Sequence, residues 1–132
     1  MDVLLVEDNP ADVYLIKHVL GDVRKGLRVC VVPDGREALQ FLRNASLRTD
    51  APRPVLILLD LQFPVTEGTR LLPQLHQLLG CQTIPIVILT SVPWEREGSR
   101  CLQLGASAYI EKSANFYAFC AALREIAQRW LR

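Results

Sequence analysis

Five short apolar runs alternate along the chain with stretches whose apolar residues recur at helical spacing. The runs cover residues 2–7, 28–32, 54–60, 84–90 and 107–111. Little polar alternation interrupts them, which is typical of strands buried on both faces of a sheet. The alternation predicts one doubly wound α/β domain over residues 1–132, with a five-stranded parallel sheet and helices on both faces. For five strands we expect the flavodoxin-like order 2-1-3-4-5.

Capping residues and prolines predict where the helices begin and end. Asn9 and Pro10 suit the cap and the first position of the first helix, and residues 34–37 have the spacing of a capping box for the second. The other expected boundaries are Thr66-Glu67-Gly68 before the third helix, Pro93 and Gly105 around the fourth, and Ser113 as cap of a fifth helix over residues 114–131. Pro73 inside the third helical pattern predicts a kink or a later start.

Polar side chains stand where the apolar runs stop. They are the acid pair Glu7-Asp8 after the first run, Asp60 after the third, Thr90 after the fourth and Lys112 after the fifth. Because parallel strands end at one edge of a sheet, where ligands bind near a topological switch point, we expect these groups to share one crevice. In the expected strand order the acid pair neighbours Asp60.

Such a crevice suits a hard divalent cation, Mg²⁺ or Mn²⁺, which prefers oxygen ligands. Asp8 and Asp60 can supply carboxylates, and Glu7 can bind directly or through a water. The backbone carbonyl of Gln62 can add a neutral oxygen. The ion would offset the repulsion between the carboxylates and screen an incoming phosphate.

Asp60 could then attack a phosphoryl donor in line and form an acyl phosphate. Lys112 could pair with the phosphoryl oxygens as a point charge, and the Thr90 hydroxyl could donate a hydrogen bond to another oxygen. Each residue alone has an ordinary explanation as a turn, strand-end or solvated residue. Their joint pattern is what indicates a phosphorylation site.

Composition argues against several classes of protein. Fifteen basic and fourteen acidic residues nearly cancel and are scattered, so no nucleic-acid surface is indicated. The longest apolar run is far shorter than a membrane span, and the N-terminus lacks a basic leader. We therefore expect a cytoplasmic protein in which the cysteines are reduced packing thiols. They are Cys30, Cys81, Cys101 and Cys120.

These motifs together resemble a receiver domain of a two-component response regulator over nearly the whole chain. The matching segments are residues 4–9, residues 58–64 with Gly68, residues 85–91, and Gly105-Ala106 through residues 109–112. The opening Val-Glu-Asp-Asn-Pro-Ala-Asp and the late Glu-Lys-Ser are similar to a narrower group, the stand-alone receivers paired with bacterial phytochrome kinases.

The resemblance implies a role for each residue of the crevice. Asp60 would accept phosphate from the phosphohistidine of a histidine kinase, which in the narrower group is a bacteriophytochrome. Glu7, Asp8 and the Gln62 carbonyl would bind Mg²⁺. Lys112 would contact the phosphate.

The resemblance also implies a conformational switch. Thr90 would move toward the new oxygens and Tyr109 would rotate from exposed to buried, reshaping the face of helix 4, strand 5 and helix 5. Since the sequence ends at Arg132, we expect output through a downstream protein, a homodimer or onward transfer rather than a further domain. Residues expected in a homodimer are Leu102, Phe116, Tyr117 and Leu131, and those expected to dock the kinase are Tyr14, Leu15, His18 and the loop at Ser113.

Two positions depart from the family pattern. Ser113 stands where receivers usually have proline joined by a cis peptide. A cis peptide bond before a residue other than proline costs about 3–4 kcal/mol, so we expect the Lys112–Ser113 bond to be trans. Gln62 would border the phosphorylation site, and we expect its side chain to help set the lifetime of the acyl phosphate.

Two other classes of protein share this sheet. An aspartyl-phosphate hydrolase usually needs a second aspartate two residues after the first as general acid, where this chain has Gln62. A flavodoxin-like cofactor binder would offer donors to phosphate after the first strand, where residues 7–10 offer negative charge and a proline. We therefore expect a phosphoacceptor with at most slow self-dephosphorylation, and not an enzyme.

Overall fold

A parallel sheet forms the middle of the computed structural model, which describes residues 2–46, 53–60, 65–79, 84–112 and 115–131. The strands are β1 (Val3–Val6), β2 (Val29–Val32), β3 (Leu56–Asp60), β4 (Ile86–Thr90) and β5 (Ala108–Glu111). Each lies within its predicted apolar run. Their order is β2-β1-β3-β4-β5 with parallel pairing throughout, so the predicted flavodoxin-like order is confirmed.

Helices cover both faces of this sheet. They are α1 (Pro10–Val23), α2 (Gly35–Ser46), α3 (Val65–Leu79), α4 (Trp94–Gln103) and α5 (Phe116–Trp130). One core layer contains buried residues of α1 and α5, and the other contains buried residues of α2, α3 and α4. The longest helices in these ranges, α3 and α5, have 15 residues each, too few for a membrane span.

Alternate residues of each strand enter opposite core layers. In β1, Leu4 and Val6 pack with the α2–α3–α4 layer, whereas Val3 and Leu5 pack with the α1–α5 layer. All four are at most 2% exposed. A strand buried on both faces needs apolar residues at every position, which is why the runs showed little alternation.

The predicted starts of the first two helices are confirmed. The Asn9 side chain accepts hydrogen bonds from the backbone N–H groups of Ala11 and Asp12, at 2.9 and 3.3 Å, and Pro10 follows as the first helical residue. Asp34 Oδ1 accepts from the Glu37 N–H at 2.8 Å. These caps satisfy backbone donors that have no partner within the helix.

The predicted start of the third helix is wrong. Helix α3 begins at Val65, so residues 66–68 form its first turn, and Pro73 lies inside it. The later start offered as an alternative is wrong as well. Leu71, Leu72 and Leu75 are buried against the sheet while Pro73 is exposed. Packing of the apolar face therefore outweighs the local preference of glycine and proline.

Two predictions at the end of the chain also need correction. Asn115, not Ser113, caps the last helix, since its Oδ1 accepts from the Ala118 N–H at 3.1 Å and α5 begins at Phe116. Leu131 is 1% exposed and belongs to the α1–α5 core layer, so it is not part of a partner surface. The other expected homodimer residues, Leu102, Phe116 and Tyr117, are exposed.

Candidate functional site

Strand register brings the predicted polar residues to one edge of the sheet. β1 and β3 pair Val6 with Leu59, so Glu7 and Asp60 follow side by side. At the other end of the site, the Lys112 N–H donates to the Thr90 carbonyl at 2.6 Å directly after β4 and β5 stop pairing. The common edge expected from the sequence is therefore present.

The Lys112 ammonium lies at the centre of this site. Its Nζ donates to Glu7 Oε2 at 2.9 Å, to Asp12 Oδ2 at 2.8 Å and to Asp60 Oδ2. The carboxylates differ in exposure: 0% for the Glu7 side chain, 2% for Asp60 and 32% for Asp12, against 17% for Lys112. An ammonium has three N–H donors, so each can meet one carboxylate.

Asp12 is a site residue that sequence reasoning missed. It lies in the first turn of α1, on the helix that leaves the β1 edge. Asp12 follows the Asn9 cap by three residues, a position where an acidic side chain is readily explained by the positive end of the helix. A signal was present in the spacing, because the first turn after β1 overhangs the same strand edge as Glu7.

Asp8, by contrast, is not brought into this group. Its side chain is exposed on the loop between β1 and α1. Among the described residues, the carboxylates whose oxygens lie within 4.8 Å of one another are those of Glu7, Asp12 and Asp60. A metal-binding role for Asp8 therefore stays a prediction.

These carboxylates fit a hard divalent cation. Asp60 Oδ1 is buried and has no hydrogen-bond partner in the described part of the chain, a state that costs about 1–3 kcal/mol unless an ion or water meets the atom. Three carboxylates against one ammonium leave two negative charges in the crevice. Oxygen ligands and this charge suit Mg²⁺ or Mn²⁺.

Thr90 lies beside the crevice at the end of β4. It is 2% exposed, and its Oγ1 accepts a hydrogen bond from the Val92 N–H at 3.1 Å. The hydroxyl thus holds the loop that leads from β4 into α4. A movement of the Thr90 side chain would therefore break or displace this hydrogen bond and alter the loop.

Tyr109 is the next residue to contact that loop. Its hydroxyl donates to the Val92 carbonyl at 2.6 Å, and its ring meets the Trp94 ring edge-on with centroids 5.6 Å apart. The Trp94 ring lies over Gly98, where an added Cβ would come within 1.8 Å of it. Tyr109 is half-buried, so the switch residue predicted from the resemblance points inward in this conformation.

The strand end carrying Lys112 also fixes the start of α4. Glu111 Oε1 accepts from the Trp94 N–H at 2.6 Å. Pro93 occupies the cap position without a side-chain hydrogen bond, so the Glu111 carboxylate serves as a cap from a neighbouring strand. Glu111, the last residue of β5, thereby contacts α4, and Lys112, which follows it, contacts the crevice.

Three other predictions concern residues outside the part of the chain that the structure describes. Gln62, Ser113 and Cys81 lie outside the described residues, so the expected trans peptide, the role of Gln62 and the state of Cys81 stay predictions. Cys30, Cys101 and Cys120 are free thiols, as expected.

Comparison with known proteins supplies the family. Residues 3–124 match the model of the response regulator receiver domain. Response regulator Rcp1 of Synechocystis sp. is 33% identical over 129 residues, covering 98% of this chain and 88% of Rcp1.

Two crystal structures resemble this fold closely. The phosphorylated cyanobacterial phytochrome response regulator RcpA is 35% identical with a TM-score of 0.82, over 98% of this chain and 93% of RcpA. The Mn²⁺-bound form of Rcp1 is 32% identical with a TM-score of 0.82, over 98% of this chain and 94% of Rcp1. Sheet order, strand-end chemistry and these matches agree: the chain belongs to the response regulator receiver domain family and is related to a cyanobacterial phytochrome response regulator.

Proposed function

We propose that Asp60 accepts a phosphoryl group from a histidine kinase in a Mg²⁺-dependent, cytoplasmic exchange. The observation that carries this proposal is the state of the Asp60 carboxylate at the end of β3. One of its oxygens meets the Lys112 ammonium, while the other is buried and has no partner among the described residues. Asp60 is thus held in place, with an oxygen left for an incoming group.

The transfer uses groups that surround Asp60. An Asp60 oxygen attacks phosphorus in line, a P–O bond forms, and the P–N bond of the phosphohistidine breaks with its electron pair remaining on the imidazole. Lys112 releases Asp60 and donates to a phosphoryl oxygen instead. The residues that would hold Mg²⁺ are Glu7, Asp12 and Asp60, with Asp8 and the Gln62 carbonyl as predicted additions. When bound, the ion supplies positive charge between the carboxylates and the phosphoryl group.

The signal then passes through Thr90 and Tyr109. The Thr90 hydroxyl leaves the Val92 N–H and donates to a phosphoryl oxygen, which changes the loop that Tyr109 holds through the Val92 carbonyl. The face of α4, β5 and α5 changes as a result. The protein is a phosphoacceptor in this scheme and not an enzyme.

An intact-mass experiment with acetyl phosphate tests the acceptor. Wild type with Mg²⁺ is expected to gain the mass of one phosphoryl group, whereas Asp60→Asn, which cannot form the acyl phosphate, gains none. Asp22→Asn, on the exposed part of α1, is the matched control and should behave as wild type. Chelation of Mg²⁺ should abolish the gain. Unmodified wild type, or a modified Asp60→Asn protein, would contradict the proposal, and rapid return of phosphate would favour a hydrolase.

Two exposed tyrosines separate the proposed partner surfaces. Tyr14 on α1 is 74% exposed and Tyr117 on α5 is 82% exposed. We propose that Tyr14 and the neighbouring His18 meet a histidine kinase of the phytochrome type, and that Tyr117 lies in a homodimer interface. Tyr14→Ala is expected to slow transfer from the kinase but not from acetyl phosphate. Tyr117→Ala is expected to weaken self-association in sedimentation but not transfer, so each variant is the control for the other. A reversed or shared defect would count against this assignment.

A further inference from the structure

Asp12 has a contact that the transfer just described leaves unexplained. Its Oδ2 accepts from Lys112 Nζ at 2.8 Å, across 100 positions of sequence. If Lys112 served only to meet the phosphoryl group, pairing with Glu7 and Asp60 would be enough to place it. Besides its place among the residues that would hold Mg²⁺, the third carboxylate therefore also bears on where the ammonium rests.

The location of Asp12 distinguishes it from the two other partners of Lys112. Glu7 and Asp60 extend from strand ends and their side chains are 0% and 2% exposed, whereas Asp12 extends from α1 and is 32% exposed. Asp12 thus marks the open side of the crevice. Its backbone is fixed there by the Asn9 cap, which accepts from the Asp12 N–H.

We propose that Asp12 is a positioning residue that holds the Lys112 ammonium on the open side of the crevice. This inference rests on the proposed phosphorylation of Asp60 and specifies how Lys112 is made ready for it. With Asp12 present, the ammonium divides its donors between the interior and the open side. Lys112 can then leave Asp60 and still keep a charged partner on the open side of the crevice, in addition to Glu7 inside it.

Loss of Asp12 has a predictable consequence for Lys112. Without Asp12, the Lys112 ammonium would pair more strongly with Asp60 and Glu7, whose carboxylates are almost completely buried. The Asp60 carboxylate would be paired with Lys112 for more of the time, and Lys112 would lie farther from the incoming group. An opposite effect, weaker repulsion of the anionic donor, is reduced because charges on the open side are screened at physiological salt.

The rate of phosphorylation by acetyl phosphate at saturating Mg²⁺ tests this role. Asp12→Ala and Asp12→Asn are expected to react about tenfold more slowly than wild type, the factor given by the loss of one charge-assisted hydrogen bond. Asp12→Glu, which restores a carboxylate, should recover most of the rate. Asp22→Asn removes the same charge from the exposed part of α1 and should leave the rate unchanged.

A spectroscopic measurement separates positioning from a general structural effect. The side-chain nitrogen resonance of Lys112, recorded without divalent cations and assigned by its loss in Lys112→Met, should shift in Asp12→Ala and return toward its position in Asp12→Glu. Wild-type rates in Asp12→Ala, with wild type phosphorylated normally, would overturn this inference and leave the proposed function intact. An unmodified wild-type protein would overturn both. An unmoved Lys112 resonance in Asp12→Ala would overturn the positioning role even if the rate fell.

Discussion

Replacing Lys112 by methionine is expected to lower the free energy of unfolding by about 3 kcal/mol in the absence of divalent cations. The substitution keeps the apolar stem of the side chain but removes the charge that meets Glu7, Asp12 and Asp60. Two of these carboxylates are almost completely buried and would repel each other without compensation. Chemical denaturation of both proteins measures the difference.

Mg²⁺ should reverse much of that loss. The variant keeps the carboxylates and lacks the competing ammonium, so it should bind the ion more tightly than wild type does. A ligand at about one hundred times its Kd stabilises a fold by about 2.7 kcal/mol. Mg²⁺ is therefore expected to stabilise Lys112→Met by more than it stabilises wild type.

Lys17→Met provides the control for this experiment, since Lys17 is an exposed residue of α1. Its stability should change little, with or without Mg²⁺. Adding Asp60→Asn to Lys112→Met should restore part of the lost stability, because it removes one of the repelling charges. Equal losses in the two methionine variants, or a loss that Mg²⁺ does not alter, would show that the ammonium does not hold the carboxylates together.

Tyr109 is expected to ionise late and to couple folding to alkaline pH. Burial raises the pKa of its phenol to about 12 from an ordinary value of 10.0, and the negative charges of Cys101, Glu111 and Glu97 add to the effect. The folded state thus favours the neutral phenol. The contribution of Tyr109 to stability is complete below pH 10 and is lost as pH rises from 10 to 12.

The size of this effect follows from the two-unit change in pKa. It corresponds to about 2–3 kcal/mol between those pH values. Denaturation of wild type and Tyr109→Phe along the pH series isolates this contribution, because other groups titrate in both proteins. Wild type should lose stability more steeply.

Ultraviolet absorbance of the phenolate gives a second readout of Tyr109. The absorbance of wild type should increase near pH 12 as Tyr109 ionises, and Tyr109→Phe should lack this increase. Two results would mean that the phenol is not held inward in solution. One is an equal loss of stability with pH in wild type and Tyr109→Phe, and the other is a Tyr109 absorbance change near pH 10.

The fold was predictable because burial on both faces leaves a simple pattern. Strands such as β1 and β4 are apolar at nearly every position, and polar residues stop them at the edge where parallel strands end together. The placement of Glu7, Asp60 and Lys112 follows from that rule alone. Strand order needed only the usual topology of five parallel strands.

The errors lie where several local signals compete or where distant elements meet. Ser113 and Asn115 are both good caps, and the hydrogen bond to the Ala118 N–H selects the second. Leu131 follows the last helix and was predicted to lie in a homodimer surface, but its contacts with the α1–α5 core bury it. Asp12 lies in the first turn after β1, but its contact is with a residue 100 positions away in the sequence, and no local pattern contains such a contact.

Hydrogen bonds hold the connection between β4 and α4, residues 91–93, at both ends and in the middle. Lys112 binds the carbonyl of Thr90 before it, Glu111 binds the N–H of Trp94 after it, and Val92 within it is bound through both its N–H and its carbonyl. A segment of three residues held at these points has little freedom to change its backbone conformation alone. Since each of these hydrogen bonds ties the loop to a neighbouring strand end, a shift of Thr90 would be passed on to the start of α4 rather than absorbed within the loop.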